Sequence, residues 1–365
     1  MSVRRKIAYA FAVFLFVFGL LEYLLATSWK PVLDKQTLAV GMQLRPDPDL
    51  IWSLEPGEAI QFGVKIAVDP NGMRKGAIDD GDRRWLIVGD SSFFGHGLAH
   101  EDTLHSALKT ELSQVGHRID VHVGAVPGHS ILQSTRWLDR QGWELEPDVL
   151  IVGNLWSDNH FAQFQDHVWL NTLDSTSSRA QFWLGRLRSF QWLAQTMRPL
   201  NIEEGVDVNR RISWVREPYE GGPRRRVPLN RYASALDELL ADAEERGVGV
   251  VMVQPANRYR LRGDVPNPTW APYFKAQREV AERRHVLIVD MVDAMSAAGL
   301  SAEEAFIDDM HPSASGVDSM ARHVVSAVLE AGWPDRHLIP KTNHPFRPVM
   351  TDPWEGGPPG KLGSH

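Results

Sequence analysis

The chain of 365 residues contains no cysteine. That excludes a disulfide framework, a thiolate zinc site and a lipid-modified cysteine. It does not fix a compartment, because a core of this size needs no covalent cross-links. Basic residues are outnumbered. The formal net charge of -7 has the wrong sign for a general nucleic-acid binder, which carries a basic surface. The 14 histidines show no second His-rich cluster with ligand spacing, so a metal site has little support. No internal repeat is visible. What is present is ordinary for a globular chain, 43% hydrophobic and 23% charged. The length suits one large domain with additions, or two modest ones.

One hydrophobic run stands apart. Arg4, Arg5 and Lys6 precede an uncharged stretch from Ile7 to Leu21, and after Glu22 the apolar character resumes through Tyr23, Leu24, Leu25 and Ala26. A membrane-spanning helix needs about 20 predominantly apolar residues. This segment reaches that length if Glu22 lies near the far interface, where a carboxylate meets headgroups and water at modest cost. The positive-inside rule then keeps the basic end in the cytoplasm and exports everything after Trp29. Residues 1–28 are therefore expected to form a transmembrane signal anchor. The competing reading is a signal peptide removed on secretion, since Ala26, Thr27 and Ser28 offer small residues for cleavage. Both place the remainder of the chain on the extracytoplasmic (periplasmic) side.

Residues 29–83 read as a linker and a β-rich lead-in. Prolines and glycine between Pro46 and Gly57 favour extended and turn structure. Phe62 to Val68 alternates weakly, and Asp69-Pro-Asn-Gly72 is a strong turn signal. From Arg84 a repeated α/β rhythm sets in. Short apolar runs at Trp85–Val88, Ile119–Val123, Val149–Val152, Val250–Val253 and Val286–Val289 predict buried strands. Helices are expected over Thr103–Leu112, Ser130–Trp143, Leu229–Arg246 and Tyr273–Arg284, with another starting near Ser315. This alternation predicts a parallel sheet covered by helices on both faces, over residues 84–338. Residues 160–227 interrupt it as an insertion with a helical piece near Phe182 to Met197. Its aromatic stripe suits either a cap over the site or a helix packed on the core. The tail, 339–365, is rich in proline and glycine and is expected to be flexible.

Three segments carry candidate chemistry. Gly89-Asp90-Ser91-Ser92 directly follows the first strand, where a turn into a helix can hold a serine hydroxyl clear of the sheet. The loop lacks the Lys-Ser/Thr ending of a phosphate-binding loop. Gly124-Ala-Val-Pro-Gly128 follows the second strand and suits either a close backbone approach to a ligand or a plain turn. Near the C-terminus, Asp308 and His311 are three apart. A carboxylate at that spacing can accept from one imidazole nitrogen while the other faces a serine.

Together these segments resemble the SGNH/GDSL hydrolases over roughly residues 84–330. The resemblance rests on Val88-Gly-Asp-Ser91, on Gly128 closing the second block, and on Asp308-x-x-His311 in the last. In the lead-in, Asp49-Leu-Ile-Trp52, Pro56-Gly57 and Asn71-Gly-Met-Arg74 look like the segment that precedes the catalytic domain in membrane-anchored members. The resemblance implies an SGNH/flavodoxin-like fold of three layers, a parallel sheet flanked by helices. It also implies a Ser91–His311–Asp308 triad, with oxyanion donors at the Ser91 and Gly128 N–H groups. One block departs from the family. Where a Gly-x-Asn-Asp is usual, this chain has Gly153-Asn-Leu-Trp-Ser157-Asp158-Asn159-His160. Counting from Pro147 puts Ser157 at the asparagine position, with Asn154 and Asn159 as alternatives if the loop is displaced.

The activity implied is hydrolysis of acyl or O-acetyl esters, on a small-molecule or carbohydrate substrate, through an acyl-serine and with no cofactor or metal. Acyl transfer to an envelope polysaccharide would use the same site. A non-catalytic binding protein on this fold is the reading suggested by the missing asparagine. No nucleic-acid partner is implied, and the membrane is met through the N-terminal helix.

Overall fold

The structure is a computed structural model that describes residues 2–29, 44–77, 81–162, 164–185, 187–196, 224–265, 268–341 and 352–353. It divides into two units, Met1–Met42 with Asn171–Trp214, and Gln43–Leu170 with Val215–His365.

The chain begins with α1 (Val3–Ser28), a helix of 26 residues with no buried side chain. It is long and apolar enough to cross a membrane. The lead-in supplies β1 (Leu44–Asp47) and β2 (Ile51–Leu54), an antiparallel pair. Next come β3 (Gly57–Gln61), β4 (Val64–Val68) and β5 (Arg74–Ala77). The α/β rhythm then runs through β6 (Arg83–Val88), the single-turn helix α2 (Ser91–Phe94), α3 (Leu104–Gln114) and β7 (Ile119–Val123). It continues through α4 (Ile131–Trp137), β8 (Val149–Val152) and the single-turn helix α5 (Trp156–Asn159). A two-residue strand β9 (Phe161–Ala162) and α6 (Asp166–Leu173) lead to α7 (Thr176–Gly185) and α8 (Arg188–Thr196). The last part holds β10 (Arg224–Arg225), α9 (Leu229–Glu245), β11 (Gly249–Gln254), α10 (Ala271–Arg283), β12 (Leu287–Asp290) and α11 (Ala314–Glu330).

The main sheet has eight strands in the order β12-β11-β8-β6-β7-β5-β4-β3. The five from β12 to β7 are parallel, and β5, β4 and β3 join antiparallel. The fold is thus α/β with a mostly parallel sheet, as the sequence predicts. The lead-in is not a separate piece, however. Arg74 of β5 pairs with Val123 and Ala77 with Val121, so this segment extends the sheet beyond β7. Within it, Phe62 is not in a strand but in the β3–β4 turn, with φ of 50° and with Gly63 at 81° beside it.

Burial explains the strands. Trp85, Leu86, Ile87 and Val88 of β6 are fully buried, as are Leu150, Ile151 and Val152 of β8. Each such side chain contributes on the order of 1.5–3 kcal/mol by leaving water. A strand covered on both faces is apolar throughout rather than alternating. α9 turns Leu236, Leu239, Leu240 and Ala243 into the core, and Gly247, at φ 70°, follows its end. The helix expected over Ser130–Trp143 is regular only to Trp137. A wider and then a tighter turn carry the chain on to Leu145. Most of the tail lies outside the described residues, but Asp352 is held there by a buried ion pair with Arg225 (3.0 Å).

In the other unit, α7 and α8 are the described part of the expected helical piece, and α8 packs against α1. Met197 lies outside the described residues.

Candidate active site

The chain leaves β6 and returns as β7 on one side and β8 on the other. That reversal opens a crevice at the carboxyl ends of the strands, where ligands bind in open α/β sheets. Three backbone bonds hold the loops around it: Gly124 N–H to the Ile87 carbonyl (2.9 Å), Val126 N–H to that of Gly89 (3.1 Å), and Gly153 N–H to that of Val88 (3.0 Å).

Ser91 opens α2. Asp90 caps that helix by accepting from the Ser92 N–H (3.2 Å) and reaches across to the Ser157 N–H (3.3 Å). Burial pushes the Asp90 carboxyl above its ordinary range. The turn is packed from below by Phe93, and this accounts for Gly153. A Cβ there would come within 2.1 Å of the Phe93 ring.

The other end of α2 is held by Arg74. Its guanidinium is buried and donates to the carbonyls of Phe94 (2.7 Å), Gly95 (2.6 Å) and Leu98 (2.7 Å). The Phe94 carbonyl is one that a helix end leaves unpaired, while that of Gly95 also accepts from the Leu98 N–H (3.2 Å). Burial lowers the Arg74 pKa to about 10.

His311 bridges the two halves of the constellation. Its Nδ1 lies 2.7 Å from Asp308 Oδ2 and its Nε2 lies 2.9 Å from Ser91 Oγ. Asp308 is fixed in turn by the N–H groups of Met310 (2.8 Å) and His311 (2.7 Å). Partial burial raises the Asp308 pKa, but bonds from the His311 ring and from these two N–H groups outweigh it. The carboxyl is held below its ordinary range. It therefore stays ionised and orients the imidazole so that Nε2 can accept the serine proton.

A second imidazole stacks on the first. The rings of His96 and His311 lie 4.2 Å apart, 29° from parallel. Burial and the neighbouring His311 lower the His96 pKa to about 4. Its Nδ1 accepts from the Gln61 amide (2.9 Å), and the edge of Phe62 lies 4.8 Å away between centroids. Gln61 and Phe62 bring the β3–β4 hairpin into the site's support. None of Arg74, His96 or Gln61 is singled out by the sequence as a site residue. The Gly95-His96-Gly97 triplet just after the serine turn was the visible signal.

Gly128 has φ of 80°, a conformation that favours glycine. Its carbonyl accepts from Arg226 (2.7 Å), and the preceding Pro127 carbonyl from the Trp52 indole (3.1 Å). Arg226 is itself held by the buried carboxylate of Asp166 (2.6 Å). Among the described residues, neither the Ser91 nor the Gly128 N–H donates to a protein acceptor. Both sit on the loops that border the crevice.

The irregular third block divides its residues. Asn154 is fully buried, and its amide donates to the His129 carbonyl (3.3 Å). The Asn159 amide donates to the Leu155 carbonyl (3.0 Å). Both asparagines offered as alternative donors are thus turned to structural partners. Asp158 is also buried and accepts from the Ile131 N–H (2.8 Å) at the start of α4. Of the three, Ser157 is the one left beside the Ser91 loop, through its N–H to Asp90, and among the described residues its hydroxyl has no hydrogen bond. Among the described residues no group of three acidic or histidine side chains gathers as a metal site.

No family model matches the chain, and no curated protein matches it. Solved structures similar to it include LAE5, an alpha/beta hydrolase enzyme from the metagenome of Lake Arreo. It is 19% identical, with a TM-score of 0.43 over 69% of this chain and 97% of that one. Axe2, an acetylxylan esterase from Geobacillus stearothermophilus, is 15% identical, with a TM-score of 0.44 over 68% and 94%. The lipase/acylhydrolase from Enterococcus faecalis is 15% identical, with a TM-score of 0.43 over 67% and 95%. Identity and superposition are both low, and the functional reading rests on this chain's own residues.

Proposed function

We propose that the protein is a serine ester hydrolase of the SGNH type, held at the outer face of a membrane by α1. The observation that carries this reading is the relay from Asp308 through His311 to Ser91, at 2.7 and 2.9 Å. His311 takes the Ser91 proton as the hydroxyl attacks an ester carbonyl. The negative charge that develops on the carbonyl oxygen is met by the N–H groups of Ser91 and Gly128, with the Ser157 hydroxyl as side-chain donor. His311 then protonates the departing alcohol, and water attacks the acyl-serine by the same route reversed. Apart from that water, every step uses side chains and backbone of this chain.

The relay also favours an enzyme over a non-catalytic binding protein, since an oriented base on a serine has no part in mere binding. The basic Arg4, Arg5 and Lys6 at the start of α1 favour a cytoplasmic side for that end and an outer side for the catalytic unit. Hydrolysis of a chromogenic short-chain ester by the full chain in detergent tests the proposal. Turnover should be lost in Ser91→Ala and in His311→Ala with the fold intact, and the double variant should be hardly worse than either. Near-normal turnover in Ser91→Ala would overturn the mechanism.

A further inference from the structure

Glu22 interrupts the apolar surface of α1, and its carboxylate is not idle. It accepts from the backbone N–H groups of Arg188 (2.7 Å) and Ser189 (2.9 Å) and from the Ser189 hydroxyl. These two N–H groups belong to the first turn of α8, where a helix leaves its donors unpaired and favours negative charge. A residue in the apolar N-terminal helix thus caps a helix of the insertion.

The cap fixes the depth of α8. From Ile7, the first residue past the basic cluster, to Glu22 the helix rises about 22 Å. The hydrocarbon core of a bilayer is about 30 Å thick. Glu22 therefore falls several ångströms short of the far headgroups if α1 stands upright, where an unpaired carboxylate is costly. The α8 N-terminus supplies its donors at that depth, so α8 is drawn to the lipid interface. Amphipathic helices lie there with their apolar face some 5–10 Å into the headgroup boundary. The side chains suit that position. Trp183 and Leu184 of α7 and Phe190, Trp192 and Leu193 of α8 are between 38% and 58% exposed. Tryptophan and other aromatics concentrate at membrane interfaces, where the ring meets both chain and water.

We infer that α7 and α8 form a membrane-surface element, which lies in the phospholipid interface at the Glu22 end of α1 and is held there by the Glu22 cap. This rests on the reading of α1 as a retained, spanning helix. It also gives α1 a role in the mature protein that a cleaved signal peptide would lack.

The absence of cysteine allows a clean test. Phe14→Cys, Trp183→Cys, Phe190→Cys and Leu193→Cys, made singly, would carry an environment-sensitive fluorophore in the full chain reconstituted into phosphatidylcholine–phosphatidylglycerol vesicles. Quenching by lipids with a nitroxide near the headgroup, and by lipids with a nitroxide deep on the acyl chain for the label at 14, is compared with quenching by aqueous iodide. The labels at 183, 190 and 193 should lose about half their fluorescence to the shallow nitroxide and little to iodide. If Phe14→Cys is quenched by lipid while those three answer only to iodide, the anchor stands and the inference falls. If Phe14→Cys is not quenched by lipid, the spanning reading fails and the inference with it. Protection from both quenchers would put a protein partner on α7 and α8, and would overturn the proposal. In Glu22→Ala the label at 190 should lose most of its lipid quenching while that at 14 keeps it. An unchanged signal at 190 would overturn the role given to the cap.

Discussion

Replacing Arg74 by methionine keeps an unbranched side chain that reaches about as far as the arginine Nε, and removes the charge and donors. Arg74 donates to the carbonyls of Phe94, Gly95 and Leu98 from a site that is 2% exposed. Among the described residues no carboxylate pairs with it. The fall of its pKa to about 10 means that burial disfavours the guanidinium by about 3 kcal/mol. Hydrogen bonds to charged groups return about 1.5–3 kcal/mol each, and a buried carbonyl left without a donor costs about 1–3 kcal/mol. The bonds outweigh the burial, and Arg74→Met should lower stability by about 2–4 kcal/mol. Urea unfolding of the full chain in detergent, followed by near-ultraviolet circular dichroism, measures it. Because the first two carbonyls end the helix that Ser91 begins, turnover should fall at least about tenfold even where the protein remains folded. Arg74→Lys, which keeps a charge but loses the fork geometry, should lie between the two. Stability within about 0.5 kcal/mol of the parent, a value typical of harmless surface changes, would refute the reasoning. So would a stability loss with turnover unaffected.

Two other outcomes follow from the site. Ser157→Ala should slow acylation by about 10²–10³ with substrate binding little changed, as expected for a donor to developing charge; Asn154→Ala and Asn159→Ala should act on stability instead. An unchanged acylation rate in Ser157→Ala, read by pre-steady-state kinetics, rules this donor out. His96 and His129 stay neutral in the fold down to about pH 4 but take a proton near 6.5 when unfolded. Between those values the unfolded chain binds more protons, so each histidine makes stability fall as pH falls. The buried carboxyls Asp90 and Asp158, both raised, act in the opposite sense. Comparing urea midpoints at pH 7 and pH 5 in the parent and in His129→Gln cancels them. The loss on acidification should be smaller in the variant, and an equal loss contradicts the assignment.

Much of this was legible before the structure because the signals are local. Trp85–Val88 of β6 and Val149–Val152 of β8 are continuous apolar runs, and such runs mark strands covered on both faces. Ser91 follows β6 directly, and Asp308 and His311 lie close enough in sequence for their pairing to be read from spacing. The parts that were not legible depend on contacts between distant segments. Nothing near Arg74 announces that β5 will pair with β7, or that an arginine will be buried against the end of α2. His96 stacks on a residue 215 positions away only because the sheet brings its loop there. The third block shows the same limit. Motif counting could bring Ser157 level with the usual asparagine, but only packing shows that Asn154 and Asn159 are drawn to backbone carbonyls. The expected helix breaks after Trp137, ahead of Gly142, which lies within the wider turn itself.

The central claim is that Ser91 is a nucleophile activated by His311. It is tested most directly by exposing the full chain to a fluorophosphonate that reacts with activated serines, then mapping the adduct by mass spectrometry. A single adduct on the peptide that contains Ser91 is expected. It should be absent in Ser91→Ala and formed far more slowly in His311→Ala, where the hydroxyl remains but its base is gone. An unlabelled protein, an adduct on another serine, or equal labelling rates in the parent and His311→Ala would contradict the account.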